Sequence, residues 1–179
     1  MMRVWIAAGA AIVALAAATK SDQPGDYVSS VPPGYRDWAL ISVGAVGPPM
    51  NDVRAKLGND IAISDLRKQT IPYRDGAIIA RLAWKQTMDP QTSDAFRRQG
   101  QQAHLSADAI AKLVSQSFVA GPATNVQFMI KDSKKYASTG GWGFAQFTNG
   151  KPDAVVPRNC FACHAPAKAS DFVFTHYSP

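Results

Sequence analysis

Two cysteines and a histidine stand together near the C-terminus as Cys160-Phe161-Ala162-Cys163-His164. The spacing C-x-x-C-H is the attachment sequence of c-type haem. Two thiols add across the two vinyl groups of a porphyrin, and the histidine beside the second thiol then faces the iron as its axial ligand. One covalent haem c is therefore expected, with Cys160 and Cys163 as anchors and His164 as the iron ligand. Three other chemistries use the same residue types. A thioredoxin-like C-x-x-C opens a helix within a βαβ unit, and no such pattern precedes this one. A zinc site needs a second ligand pair, and only His104 and His176 are left. A disulfide between the two cysteines would close a short, strained loop.

The position of the motif bears on the other side of the iron. Only 15 residues follow His164, and none is methionine. A sixth ligand would have to come from upstream, where Met50, Met88, Met129 and His104 are the internal candidates. Met129 sits in a strand-like pattern that reads as core packing. His104 lies in a polar stretch and His176 close to the chain end, where exposed histidines are ordinary. The sequence therefore favours an open distal position, which on haem means binding small molecules or redox chemistry on them.

The elements that must position this motif can be read from periodicity. Leu40–Val43 reads as a strand. Asn51–Gly58 reads as a short helix capped by Asn51 and ended by Gly58. Ala62–Lys68 reads as a helical turn or two, and Tyr73–Gly76 as a turn. Ala77–Lys85 alternates as a strand, with Ile79, Arg81, Ala83 and Lys85 on one face and Ile78, Ala80, Leu82 and Trp84 on the other. Residues 86–104 are polar and without period and read as a long loop. Ser106–Val114 reads as a capped helix, broken by Gly121-Pro122. Asn125–Lys131 and Trp142–Phe147 alternate as strands around a helical turn within Ser133–Gly141. Pro152 and Pro157 mark a loop before the motif. The expected fold is α+β, a single domain dominated by an antiparallel β-sheet with several short helices.

The chain has 179 residues, 19 Lys and Arg against 13 Asp and Glu, and a formal net charge of +6. The charge is scattered, so it favours approach of an acidic partner and gives no nucleic-acid stripe. Met1-Met2-Arg3 and the Ala-rich run Val4–Ala18 form a secretory signal with small-x-small cleavage sites. It carries no twin arginine and no lipobox cysteine. An uncleaved anchor is the alternative, although the run is shorter than the ~20 apolar residues a spanning helix needs. The division expected is a signal peptide over 1–18, a flexible leader over 19–34 and a haem domain over 35–179, exported to the periplasm with no membrane span after cleavage.

Several stretches resemble the cytochrome P-460 family, which includes the beta-type cytochromes c-prime. They are Tyr35–Trp38, Leu57–Asp60, Asp75–Ala80, Ala83–Gln86, the long run Asn125–Phe147 with its Gly-Gly-Trp-Gly, then Cys160–His164 and Asp171–Thr175. The four-helix cytochromes c-prime also carry a C-terminal haem motif, but the strand-like segments speak against a helical bundle. The resemblance implies a periplasmic, β-rich, usually dimeric monohaem protein with five-coordinate iron, a small nitrogen-containing ligand and a redox partner protein. Some members oxidise hydroxylamine, with a lysine–porphyrin cross-link and a distal carboxylate that relays protons. Others lack the cross-link, have an apolar distal pocket and bind nitric oxide. For the lysine position, Lys85 and, on the same face, Arg81 are the candidates, an exposed strand-end lysine being the plain alternative for Lys85. Where a carboxylate would be sought, the strand carries Gln146, which can hydrogen-bond but cannot act as a general base. Asp132 is the nearest acid and reads as the cap of the following turn. Phe128, Trp142, Phe144 and Phe147 are candidate pocket walls or ordinary core, and Phe172 and Phe174 candidates for the proximal side.

Overall fold

Alternation of apolar and polar residues dictates the main feature of the computed structural model, which describes residues 30–153 and 156–178. Among these, the elements run β1 (Ala39–Val46), β2 (Asp52–Gly58), α1 (Asp60–Lys68), β3 (Ile78–Thr87), α2 (Pro90–Gln102), α3 (Ala107–Ser115), β4 (Val119–Lys131), β5 (Trp142–Thr148), β6 (Lys151–Pro152) and α4 (Val156–His164). The strands form one sheet in chain order, every neighbour antiparallel. The fold is a single α+β domain dominated by that sheet. The signal segment and most of the leader lie outside the described residues. Within the described residues, no helix is long and apolar enough to cross a membrane.

The two faces of β3 separate as its alternation requires. Ala80 and Leu82 join Leu57, Phe128, Ala145 and Phe147 in one buried cluster, over which Tyr35 and Trp38 pack. Ile79 joins Ile41, Trp142 and Phe144 on the other face, together with Ala62 and Ile63 of α1 and Phe172 and Val173 of the C-terminal tail.

Three local expectations are corrected. Residues 52–58 are strand β2, not a helix. Val53, Ala55 and Leu57 alternate with Arg54 and Lys56, and pairing to both β1 and β3 overrides the capping signals at Asn51 and Gly58. Residues 90–102 are helix α2, not loop. Asp89 caps it by accepting from Thr92 N–H at 2.7 Å, and Pro90 opens it. Its one buried residue, Gly100, packs against Ile110 of α3, so no apolar stripe advertised it. Gly121-Pro122 lies inside β4 and does not end a helix. The β3–β4 ladder shifts register there, between Ala83, Trp84 and Gln86, so Pro122 owes no ladder hydrogen bond. Pro157 likewise falls within α4 rather than in a loop.

The C-terminal tail is tied down electrostatically. Lys131, at the end of β4, is 5% exposed and its ammonium lies 2.8 Å from both carboxylate oxygens of Asp171. It also donates to Gly140 O at 3.0 Å and stands over the Trp142 ring. Asp171 accepts in turn from Tyr73 N–H at 2.8 Å. Lys131→Ala leaves a buried carboxylate without its counter-charge. The expected cost is about 3–5 kcal/mol, measured by urea unfolding of variant against parent.

Candidate functional site

The C-x-x-C-H motif occupies the last turns of α4. Cys160, Cys163 and His164 stand three and four residues apart, so they share one helical face. Cys160 and His164 line a cavity of about 400 Å³, while Cys163 is exposed and not among its lining residues. Across from α4 the lining comes from the sheet: Arg54 and Lys56 of β2, Ile79 and Arg81 of β3, Gln127 and Met129 of β4, and Phe144 of β5. Val173, Phe174 and Thr175 of the tail complete it. This is a size and an apolar-with-few-polar lining typical of cofactor pockets.

His164 is held by the tail. Its Nδ1–H donates to Phe172 O at 2.7 Å, and its ring lies between Phe144 and Phe174, with centroids 5.1 and 5.0 Å away. A carbonyl only accepts, so Nδ1 carries the proton and Nε2 is the nitrogen left to bind a metal. Burial pushes the imidazole pKa down, against the opposing pull of the Phe172 hydrogen bond. The neutral ring is the ligating form. The Phe172 carbonyl is aimed by a strained turn, since Asp171 and Phe172 have φ of 50° and 65°, consecutive non-glycine residues in the left-handed region. Gly140 makes room for it. A Cβ there would come within 2.2 Å of the Phe172 ring, and its φ of 68° is itself left-handed.

These observations fit haem. The axial nitrogen is singled out, the walls beside it are aromatic and aliphatic, and the two thiols share its helical face. The competing chemistries fare worse. Among the described residues, no group of three or more His, Cys, Asp or Glu is placed to hold a metal ion. The two sulfurs are not joined to each other. Burial raises the Cys160 pKa, with Cys163 and Asp153 adding to the rise and Arg81 opposing it. A redox-active C-x-x-C thiol is shifted the other way, by a helix N-terminus that this motif does not occupy.

The structure separates the remaining sequence candidates. Phe128 and Phe144 line the cavity, whereas Trp142 and Phe147 are buried core. Arg81 lines it; Lys85, on the same face of β3, is exposed and outside it. Gln146, on β5 with Phe144, is not among the cavity-lining residues. Its Oε1 accepts from Gln127 Nε2 at 2.6 Å, and its own Nε2 donates to Asp153 at 3.2 Å. Asp132 accepts from the N–H groups of Lys134 and Lys135, as a turn cap does. Of the four upstream ligand candidates, Met129 alone lines the cavity; Met50, Met88 and His104 are exposed. Sequence reasoning missed Arg54, Lys56, Gln127 and Asp153. The first two were hidden by the helical reading of β2, although their alternation with Val53, Ala55 and Leu57 was the signal.

The family model described as Cytochrome P460 matches residues 32–175 of the chain. No curated protein matches it significantly.

Gly140→Ala forces a left-handed alanine and a collision with the Phe172 ring. Left-handed strain and overpacking together are expected to cost about 2–5 kcal/mol, measured by urea unfolding.

Proposed function

Since the chain belongs to the cytochrome P460 family, and is thus a haem-binding cytochrome, we propose that it is a periplasmic monohaem c-type cytochrome whose iron is open on the distal side and binds or redox-processes small nitrogen compounds such as nitric oxide. One observation carries the reading above the others: the His164 Nδ1–H···O=C bond to Phe172, which commits one ring nitrogen and leaves Nε2 for iron. When bound, the haem supplies a redox-active iron with a vacant coordination position.

The chain's own residues do the rest. Cys160 and Cys163 anchor the group through thioethers. Phe172 O fixes the tautomer and orientation of the His164 ring and raises its basicity as a ligand. Phe144 and Phe174 pack near the same ring. Gln127 presents a side-chain amide to the cavity, held by Gln146. Export through the signal over residues 1–18 supplies the compartment in which c-type haem is attached. A homodimer and a redox partner protein belong to the same proposal.

A second reading, hydroxylamine oxidation with a lysine–porphyrin cross-link, draws on one observation. Lys56 lines the cavity, and burial lowers its pKa, with Arg54 and Arg81 adding to the fall. A lysine is therefore present, though it is not Lys85. Against it, no Asp or Glu is among the described cavity-lining residues to take protons. A simple electron-transfer role would instead need a sixth ligand, for which Met129 is the placed candidate.

Maturation with covalent haem decides among these. The double variant Cys160→Ala with Cys163→Ala is expected to leave no haem on the denatured chain in a peroxidase-stained gel; retained haem would overturn the assignment. The dithionite-reduced protein is expected to show an ordinary high-spin ferrous c-type spectrum. A strongly red-shifted Soret band would establish the cross-linked reading. Met129→Leu is expected to leave the spin state unchanged, and a switch from low to high spin would identify Met129 as the sixth ligand.

A further inference from the structure

Three basic side chains from two adjacent strands meet in the cavity. Arg54 and Lys56 come from β2 and Arg81 from β3, with Lys56 directly opposite Arg81 in the ladder. Arg54 is neutralised by Asp52, its Nε at 2.8 Å and its Nη2 at 3.0 Å from the two carboxylate oxygens. The other two cations are not. Arg81 Nη2 donates to Asn125 Oδ1 at 2.8 Å, a neutral acceptor, and its Nε is buried with no hydrogen-bond partner. Lys56 forms no ion pair among the described residues.

A buried donor without an acceptor and two neighbouring cations without a counter-charge are each costly. Burial lowers the Arg81 pKa to about 10, with Arg54 adding to the fall and Asp52 and Cys160 opposing it. The Lys56 pKa is lowered by burial first, then by Arg54 and Arg81. The other titratable groups near Arg81 and Lys56 are Asp52, Cys160, the Asp153 carboxylate behind Gln146, and His164 in the lining. None of these supplies the missing anion: Asp52 is paired with Arg54, Asp153 accepts from Gln146, and Cys160 as a haem thioether would carry no charge.

We propose that Arg81 and Lys56, backed by Arg54, form a subsite inside the cavity for a small planar monoanion carrying two oxygens, of which nitrite is the nitrogen-containing example. The guanidinium fork matches two oxygens at once, and Nε–H is one of the donors such an anion would take. Lys56 contributes a point charge from the next strand. This deepens the reading of the cavity as a nitrogen-compound site by naming the charge of the ligand it selects. The same chemistry could come from the carboxylates of the haem itself. C-type attachment ties the vinyl-bearing edge of the porphyrin to the cysteines, and the propionates leave from the opposite edge. Arg81 and Cys160 line the same cavity, which sets the guanidinium with the cysteine-bound edge and favours an added anion over a propionate.

The test titrates the matured holoprotein with sodium nitrite, followed by calorimetry and by the Soret band. Arg81→Gln and, separately, Lys56→Met are expected to raise the nitrite dissociation constant about tenfold or more, the loss of one charge-assisted contact. Arg81→Lys keeps the charge without the fork and is expected to fall between. Added sodium chloride weakens binding in the parent. Carbon monoxide on the ferrous protein, a neutral ligand, is expected to lose far less affinity than nitrite in each variant. Nitrite binding that is absent in the parent, or that is unchanged in both Arg81→Gln and Lys56→Met, overturns the proposal and assigns the two cations to the haem carboxylates. Calorimetry reads nitrite whether or not haem is attached, and haem staining reads the cofactor alone, so failure of the subsite and failure of the haem reading give different results.

Discussion

An ammonium and a carboxylate taken out of water together hold the C-terminal tail against the sheet, Lys131 Nζ lying 2.8 Å from both oxygens of Asp171. Such a pair adds little net stability, because desolvation of both ions offsets their attraction. Its effect here is positional. Asp171 and Phe172 adopt left-handed conformations that L residues avoid, at about 1–3 kcal/mol each. The ion pair, the Tyr73 N–H donated to Asp171 and the gap left by Gly140 over-determine that turn. The turn delivers the Phe172 carbonyl to His164 Nδ1. Orientation of the one imidazole that matters thus depends on a charge pair at the far end of β4.

Beyond the turn, the tail continues along β1. Thr175 and Ser42 hydrogen-bond at 2.6 Å, and Ser178 N–H donates to Ile41 O at 3.0 Å. Just before these anchors, Phe174 stacks near the His164 ring at 5.0 Å, and Phe144 of the sheet lies 5.1 Å from the same ring. The wall around His164 is therefore built from two sequence-distant pieces, β5 and the tail. Helix α4 contributes the histidine, the cysteines and Phe161, whose ring packs on Phe172 at 5.5 Å.

The sheet was legible wherever alternation was clean. β3, β5 and the later half of β4 follow from period-two patterning, and the faces of β3 sort as Ile79 against Ala80 and Leu82 require. β2 was not legible, because Asn51 and Gly58 are good helix punctuation and seven residues are too few to settle a period. What settles it is pairing to two neighbours, which a local window cannot see. α2 was hidden for the opposite reason: it buries only Gly100, so its helix formers and Asp89 cap stood without an apolar stripe. At the site, C-x-x-C-H was legible because its chemistry is local. Arg54 and Lys56 were not, because their approach to Arg81 is a matter of register between strands.

That register also decides what kind of polarity the cavity presents. Lys56, Arg81, Gln127 and Gln146 form one row across β2 to β5. Along it, charge runs from two cations to two amides and ends at Asp153, which accepts from Gln146 and is not among the cavity-lining residues. A carboxylate set behind two amides orients those amides but cannot take a proton from a molecule in the cavity, since an amide is no base at neutral pH. The cations act in the other direction. They raise the local concentration of anions and stabilise negative charge that develops on a bound group. The row therefore suits a ligand that arrives with, or acquires, negative charge better than one that must shed protons, and this weighs ligand binding or reduction above dehydrogenation as the chemistry the cavity supports.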